Sequence, residues 1–169
     1  MPLLQPTYMF QSAASITPEF LCAQGITALV LDIDNTLTGH GSQTLPAHIA
    51  AWLAAMQAAG IDMEVVSNNT KARVAPFAAR LGLRFTSFAC KPSPLGFMRA
   101  RKAMQVPKRQ MALVGDQIFT DALGANLYGI PVLLCVPMYA DTKITIRFKR
   151  WLEKPVLARF LRRGGKIIQ

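Results

Sequence analysis

The chain has 169 residues, 51% of them apolar, which suits one domain with a substantial buried core. Its formal charge of +10 arises from 19 Lys and Arg against 9 Asp and Glu and is unevenly placed. No apolar run approaches the ~20 residues needed to span a bilayer, and no basic start leads into an apolar stretch, so membrane spanning and secretion are both disfavoured. Cys22, Cys90 and Cys135 are odd in number, widely spaced and form no CxxC pair. That argues against a disulfide framework and a structural zinc site, and fits a reducing, cytoplasmic setting.

In chain order, the stretch through Phe20 lacks strong periodicity and reads as loop plus a short helix, capped by Thr17 with Pro18 at its first position. The unbroken apolar run Ala28 to Ile33 predicts a buried central strand. Pro46 to Ala59 has Ile49, Leu53, Met56 and Gln57 at helical spacing, with Gly60 at its end. Asp62 to Val66 predicts a second strand, and Thr70 a cap for a helix running to about Leu81, closed by Gly82. A strand at Arg84 to Phe88, a helix at Pro94 to Met104, a strand at Met111 to Val114, a helix at Ile118 to Tyr128 and a strand at Ile130 to Cys135 follow. This alternation predicts an α/β fold: a mostly parallel central sheet in a three-layer, Rossmann-like arrangement with helices on both faces. Ligands are expected beyond the C-terminal ends of the strands.

Residues 143–169 carry nine basic side chains and one acid, Glu153, and so +8 of the total charge; an anionic partner is expected at this end. Ile144, Phe148, Trp151 and Leu152 lie at helical spacing, and Val156, Leu157, Phe160 and Leu161 continue the apolar stripe beyond Pro155. The chain thus divides into 1–140, the α/β domain with its lead-in, and 141–169, a basic amphipathic helical segment. Such a segment reads as an interfacial helix, with Trp and Phe among acyl chains and Lys and Arg against anionic headgroups. The plainer alternative has the apolar stripe packed on the domain. Nucleic acid is the weaker partner, because the aromatic residues follow the apolar stripe instead of a basic groove.

The chemistry-bearing residues sit at the predicted strand ends. Asp32-Ile33-Asp34-Asn35-Thr36 ends the first buried run, and two acids there are costly without a cation or hydrogen bonds. Ser67-Asn68-Asn69-Thr70 leads into a helix N-terminus, whose N–H groups suit a phosphate. Lys91 follows the third strand. Gly115-Asp116-Gln117 with Thr120-Asp121 follows the fourth, the glycine permitting a tight turn. Singly, each has an ordinary reading: Ser67 as a turn residue, Lys91 as a solvated lysine, Asp121 as a helix cap. Their order and placement make the set specific.

In that order these residues resemble the four motifs of the haloacid-dehalogenase-like superfamily. Carried over, the resemblance implies Asp32 as nucleophile, Asp34 as general acid and base, Ser67 with Asn68 as phosphate-binding groups and Lys91 as the charge-neutralising lysine. It also implies Mg2+ held by Asp32, the Asp34 backbone carbonyl and Asp116, with Asp121 as a further ligand or support. Oxygen ligands favour Mg2+ over zinc. Asp34 points to phosphoryl transfer and away from dehalogenation, because a leaving halide needs no proton. One loop and one helix separate the first two motifs, which leaves no room for a substantial cap domain, so the site should stay open to large substrates.

Ile16-Thr17-Pro18-Glu19-Phe20-Leu21, Asp34-Asn35-Thr36-Leu37, Ser67-Asn68-Asn69, Lys91-Pro92 and Gly115-Asp116-Gln117 are more narrowly similar to bacterial YqeG-type subfamily IIIA phosphatases. Organellar relatives of that group dephosphorylate phosphatidylglycerophosphate, so the resemblance implies an anionic phospholipid substrate and a peripheral place on the inner face of the cytoplasmic membrane. A phosphatase for a soluble or nucleic-acid phosphomonoester is the first rival, and a non-catalytic scaffold the second. Gly39 to Thr44 departs from the pattern, being glycine-rich and carrying His40, which bears on substrate selectivity. His40 reads equally as a solvated loop residue, and His48 as part of an exposed helix face.

Overall fold

The computed structural model describes residues 3–141 and 144–169. The predicted apolar runs become strands β2 (Ala28–Leu31), β3 (Asp62–Val66), β4 (Arg84–Thr86), β5 (Met111–Gly115) and β6 (Val132–Cys135). Two further strands flank them, β1 (Tyr8–Phe10) and β7 (Ile167–Ile168), in a seven-stranded sheet of order β4-β3-β2-β5-β6-β1-β7. Every pairing is parallel. A parallel sheet must be covered on both faces, and two clusters of buried side chains do this, one around Phe10, Trp52 and Phe77 and the other around Phe97, Leu113 and Ile130.

The helices α1 (Pro18–Ala23), α2 (Ala47–Ala58), α3 (Lys71–Arg80), α4 (Leu95–Met104), α5 (Leu123–Tyr128) and α6 (Ile144–Arg162) complete the fold. α1 starts as its sequence predicts: Pro18 stands first and the Thr17 hydroxyl accepts from Phe20 N at 3.1 Å. Thr70 holds the cap position of α3, but its hydroxyl makes no capping bond. α2 buries Ile49, Trp52, Leu53 and Met56, whereas Gln57 is exposed, so Trp52 fills the place on the buried face that spacing assigned to Gln57. Glutamine can leave the stripe at little cost, while a buried indole needs a hydrogen-bond partner. Trp52 Nε1 donates to Ile16 O at 2.8 Å, tying α2 to the lead-in.

Other departures have local causes. β1, read from sequence as loop, is too short to show period two, and pairing with β6 at Tyr8 opposite Leu133 makes it a strand. β6 starts at Val132 because Pro131 has no N–H for the ladder, although its carbonyl accepts from Leu113 N at 2.9 Å. The helix expected from Ile118 opens with a π-helical turn, Ile118–Ala122, before α5. Between β2 and β3 the chain forms only a loop and α2, so among the described residues no cap domain covers the strand ends.

Within the basic segment, residues 144–169 return to the domain: Val156 and Leu157 pack on the second cluster, and β7 pairs with β1. Lys143, counted with the basic segment, lies outside the described residues. Trp52→Phe should orphan the Ile16 carbonyl and lower unfolding free energy by about 1–3 kcal/mol, seen as a lower urea midpoint at unchanged slope.

Candidate active site

β2 lies between β3 and β5, so the chain beyond its end is flanked by the segments that follow those two strands. Asp32 continues β2, its N–H donating to Val114 O at 2.9 Å; Ser67 continues β3, donating to Thr86 O at 3.0 Å. Asp116 follows β5, Lys91 arrives from the loop beyond β4, and the π-helical turn carries Asp121. The sheet thereby gathers groups that stand far apart in the chain.

Lys91 Nζ donates to Asp32 Oδ1 and Asp121 Oδ1, both at 2.6 Å, with the lysine side chain 2% exposed. Carboxylate oxygens of Asp32, Asp116 and Asp121 all fall within 4.8 Å of one another. Burial pushes the Asp32 carboxyl up to about 7; Lys91 pulls it down, and the charges of Asp121 and Asp34 raise it further. Burial likewise holds Asp116 well above the usual carboxylate range, against the pull of Arg150. For Lys91, burial opposes the charge, yet Asp121 and Asp32 outweigh it and lift the ammonium above its ordinary value. The buried Cys135 thiol is pushed up as well, first by burial and then by the charges of Asp116 and Asp121.

Asp116 Oδ1 is buried and has no hydrogen-bond partner, an arrangement that costs free energy unless another group meets it. Three buried carboxylates face two cations, Lys91 and Arg150. An all-oxygen set with surplus negative charge and an open oxygen suits a hard divalent cation.

The Asp34 side chain stands beside this cluster and outside it. Its Oδ2 accepts from Asn69 Nδ2 at 2.7 Å, and its Oδ1 from Gly41 N at 2.8 Å and Arg73 Nη2 at 3.4 Å. The loop that departs from the family pattern therefore holds Asp34 directly, while His40 and His48 are both exposed. Arg73, also bonded to Ser42 O at 2.6 Å, was not singled out from sequence; a basic residue in the first turn of α3, where the helix dipole disfavours it, was the available signal. Ser67 is buried, and its Oγ accepts from Asn69 N at 3.2 Å. Asn68 directs its amide to Lys91, donating to the Lys91 carbonyl at 2.9 Å and accepting from its N–H at 2.6 Å. That side chain clamps the backbone of the buried lysine.

Gly115 serves close approach. Its φ is not positive, and a Cβ there would lie 2.8 Å from Asp121 Cγ and Oδ2. The Asp121 carboxylate, whose Oδ2 also accepts from Gln117 N at 3.1 Å, occupies the space a side chain would need.

The haloacid dehalogenase-like hydrolase family matches residues 40–129, a span that holds Ser67, Lys91, Asp116 and Asp121 and begins after Asp32 and Asp34. The Bacillus subtilis protein "Probable phosphatase YqeG" is 33% identical over 94% of this chain and 92% of its own length. This chain belongs to the haloacid dehalogenase-like hydrolase family. Within it the chain stands with the phosphatases. The chloroplastic/mitochondrial phosphatidylglycerophosphate phosphatase 1 of Arabidopsis thaliana is 27% identical over 88% of this chain, which spans 45% of that longer protein.

Among solved structures, a hydrolase of the family from Streptomyces avermitilis superposes with a TM-score of 0.55 at 22% identity, covering 79% of this chain and 80% of that one. The cobalt-bound deoxy-D-mannose-octulosonate 8-phosphate phosphatase of Haemophilus influenzae gives 0.53 at 15%, covering 79% and 90%. These two likenesses concern the fold alone.

Two outcomes follow from the site. Asp32 binds a proton more tightly in the metal-free folded state than the ordinary carboxyl at 3.8, so the stability it contributes is complete below that pH and is lost as pH rises through about 7. The melting temperature in chelator should fall across that window, and a saturating divalent cation should remove the fall. Gly115→Ala should displace Asp121 and cut phosphatase kcat on the order of 10-fold or more, with circular dichroism unchanged.

Proposed function

We propose that the protein is a Mg2+-dependent phosphomonoester hydrolase working through an aspartyl-phosphate on Asp32, and that its substrate is phosphatidylglycerophosphate, converted to phosphatidylglycerol. The observation that carries the catalytic reading is one buried lysine bridging Asp32 and Asp121 beside an unpartnered oxygen of Asp116. Asp32, Asp116 and the Asp34 backbone carbonyl would hold Mg2+, with Asp121 beside them. The ion, when bound, offsets the repulsion between a carboxylate nucleophile and a phosphate dianion.

Asp32 attacks phosphorus as the bond to the leaving oxygen breaks, and Asp34 gives that oxygen its proton. In the second half, Asp34 takes a proton from the water that hydrolyses the acyl-phosphate, which frees inorganic phosphate and restores Asp32. Lys91 orients Asp32 and neutralises phosphate charge, with its backbone held by Asn68. The Ser67 hydroxyl, at the end of β3, binds a phosphate oxygen; Asn68 adds to that site through the chain leading into α3.

Three observations support a lipid substrate at the membrane surface. The first half of α6 turns apolar side chains outward: Ile144, Phe148 and Trp151 are 79%, 61% and 62% exposed, with Phe148 and Trp151 stacked at 6.0 Å. Arg147, Lys149 and Lys154 are exposed around them, as an anionic surface requires. An open cleft of about 730 Å³ runs between this face and Phe119, which sits in the same turn as Asp121. Residues 141–169 then act as the interfacial element, and attachment is peripheral, at the inner face of the cytoplasmic membrane. Among the described residues no helix is long and apolar enough to cross a bilayer. The similarity to the Arabidopsis phosphatidylglycerophosphate phosphatase points the same way.

The test is Mg2+-dependent phosphate release from phosphatidylglycerophosphate in mixed vesicles, beside soluble phosphate esters and 5′-phosphorylated oligonucleotides, with Asp32→Asn as the inactive, folded control. A strong preference for the lipid supports the assignment; equal or faster turnover of soluble or nucleic-acid phosphates removes the lipid and keeps the phosphatase, and no turnover at all leaves a scaffold. Phe148→Ser with Trp151→Ser should weaken co-sedimentation with anionic vesicles while sparing hydrolysis of a small soluble ester. Equal loss of both would end the membrane reading.

A further inference from the structure

Arg150 has no part in the reaction just described, yet it is the most heavily bonded side chain near the acids. Its Nη2 donates to Asp116 Oδ2 and its Nη1 to the Asp116 backbone carbonyl at 2.6 Å, so the guanidinium grips one residue by both side chain and main chain. Two carboxylates fix the guanidinium in turn: Asp141 Oδ2 accepts from Nε at 2.9 Å and Glu153 Oε2 from Nη1 at 3.0 Å. Each ties to a different part of the site. Asp141 Oδ1 accepts from Asn35 Nδ2 at 2.8 Å, next to Asp34 in the chain, and Glu153 Oε1 accepts from Ile118 N at 2.7 Å, where the turn carrying Asp121 begins. Glu153 is 2% exposed, so α6 turns Arg150 and Glu153 inward and Phe148 and Trp151 outward.

We propose that Arg150 is a positioning residue for the metal ligand Asp116. By occupying Oδ2 it fixes the carboxylate rotamer and leaves the unpartnered Oδ1 as the oxygen offered to the cation. A planar fork suits this task, because parallel donors fix orientation as well as distance. α6 is then a structural part of the metal site as well as a surface element. The inference rests on the reading of Asp116 as a metal ligand.

The experiment titrates the metal-free 169-residue chain with Mn2+ and follows free ion by electron paramagnetic resonance, with melting curves to check folding. Arg150→Met should weaken Mn2+ binding by about 10-fold or more, the usual effect of losing a group that orients a ligand. Arg150→Lys should recover part of that loss. Asp141→Asn, which leaves the guanidinium in place but loosens it, should shift affinity in the same direction by less and covers the case in which Arg150→Met does not fold. Unchanged or tighter Mn2+ binding in a folded Arg150→Met or in Asp141→Asn overturns the proposal, tighter binding marking Arg150 as a competitor of the ion. Asp116→Asn separates the two levels: if it too binds Mn2+ normally, the metal assignment falls and the role of Arg150 with it.

Discussion

Three carboxylates, those of Asp32, Asp116 and Asp121, come together in the interior at the ends of β2 and β5, with Lys91 and Arg150 as the cations against them. Burying like charges within a few ångströms opposes folding unless partners are fixed beside them. Much of the surrounding structure supplies that fixing. Asn68 clamps Lys91, Gly115 clears space for Asp121, and the π-helical turn puts the Asp121 carboxylate against both Lys91 and the N–H of Gln117. In the proposed reaction the charge left over is what would draw a divalent cation to the site.

The same constraint explains the inverted helix α6. An amphipathic segment added to a domain ordinarily buries its apolar stripe, and the inner face of α6 does place Val156 and Leu157 on the core. Next to the acids, however, the nearest partners are Asp116 and the N–H of Ile118, so Arg150 and Glu153 turn inward and bond them. Phe148 and Trp151, on the remaining face, stay in solvent. In the proposed function one helix meets the acidic site on one side and a lipid surface on the other, and the two sides serve the same substrate.

Most of the strand ends were legible in the sequence because short unbroken apolar runs, each followed by small polar or acidic residues, have few other meanings. Asp32, Ser67, Lys91, Asp116 and Asp121 could be placed at one end of a parallel sheet from that pattern and its resemblance to a known family. β1 and β7 could not, since strands this short acquire their hydrogen bonds only from the neighbours they find. Arg73 and Arg150 were also hidden. In the sequence they are two of many basic residues: only its place in the first turn of α3 sets Arg73 apart, and nothing tells Arg150, which holds a carboxylate, from a guanidinium in water.

The sequence by itself determined the α/β alternation, the order of the polar strand ends and the concentration of charge beyond residue 142, because these depend on local periodicity and composition. Tertiary structure alone decided which polar groups pair: Asp34 with Asn69, Gly41 and Arg73, Asn68 with the Lys91 backbone, and Asp116 with Arg150. It also decided which face of α6 is outermost. Hydrogen bonds between groups distant in the chain depend on a few ångströms of three-dimensional placement, and that placement is set by how the helices pack on the sheet, which periodicity does not encode.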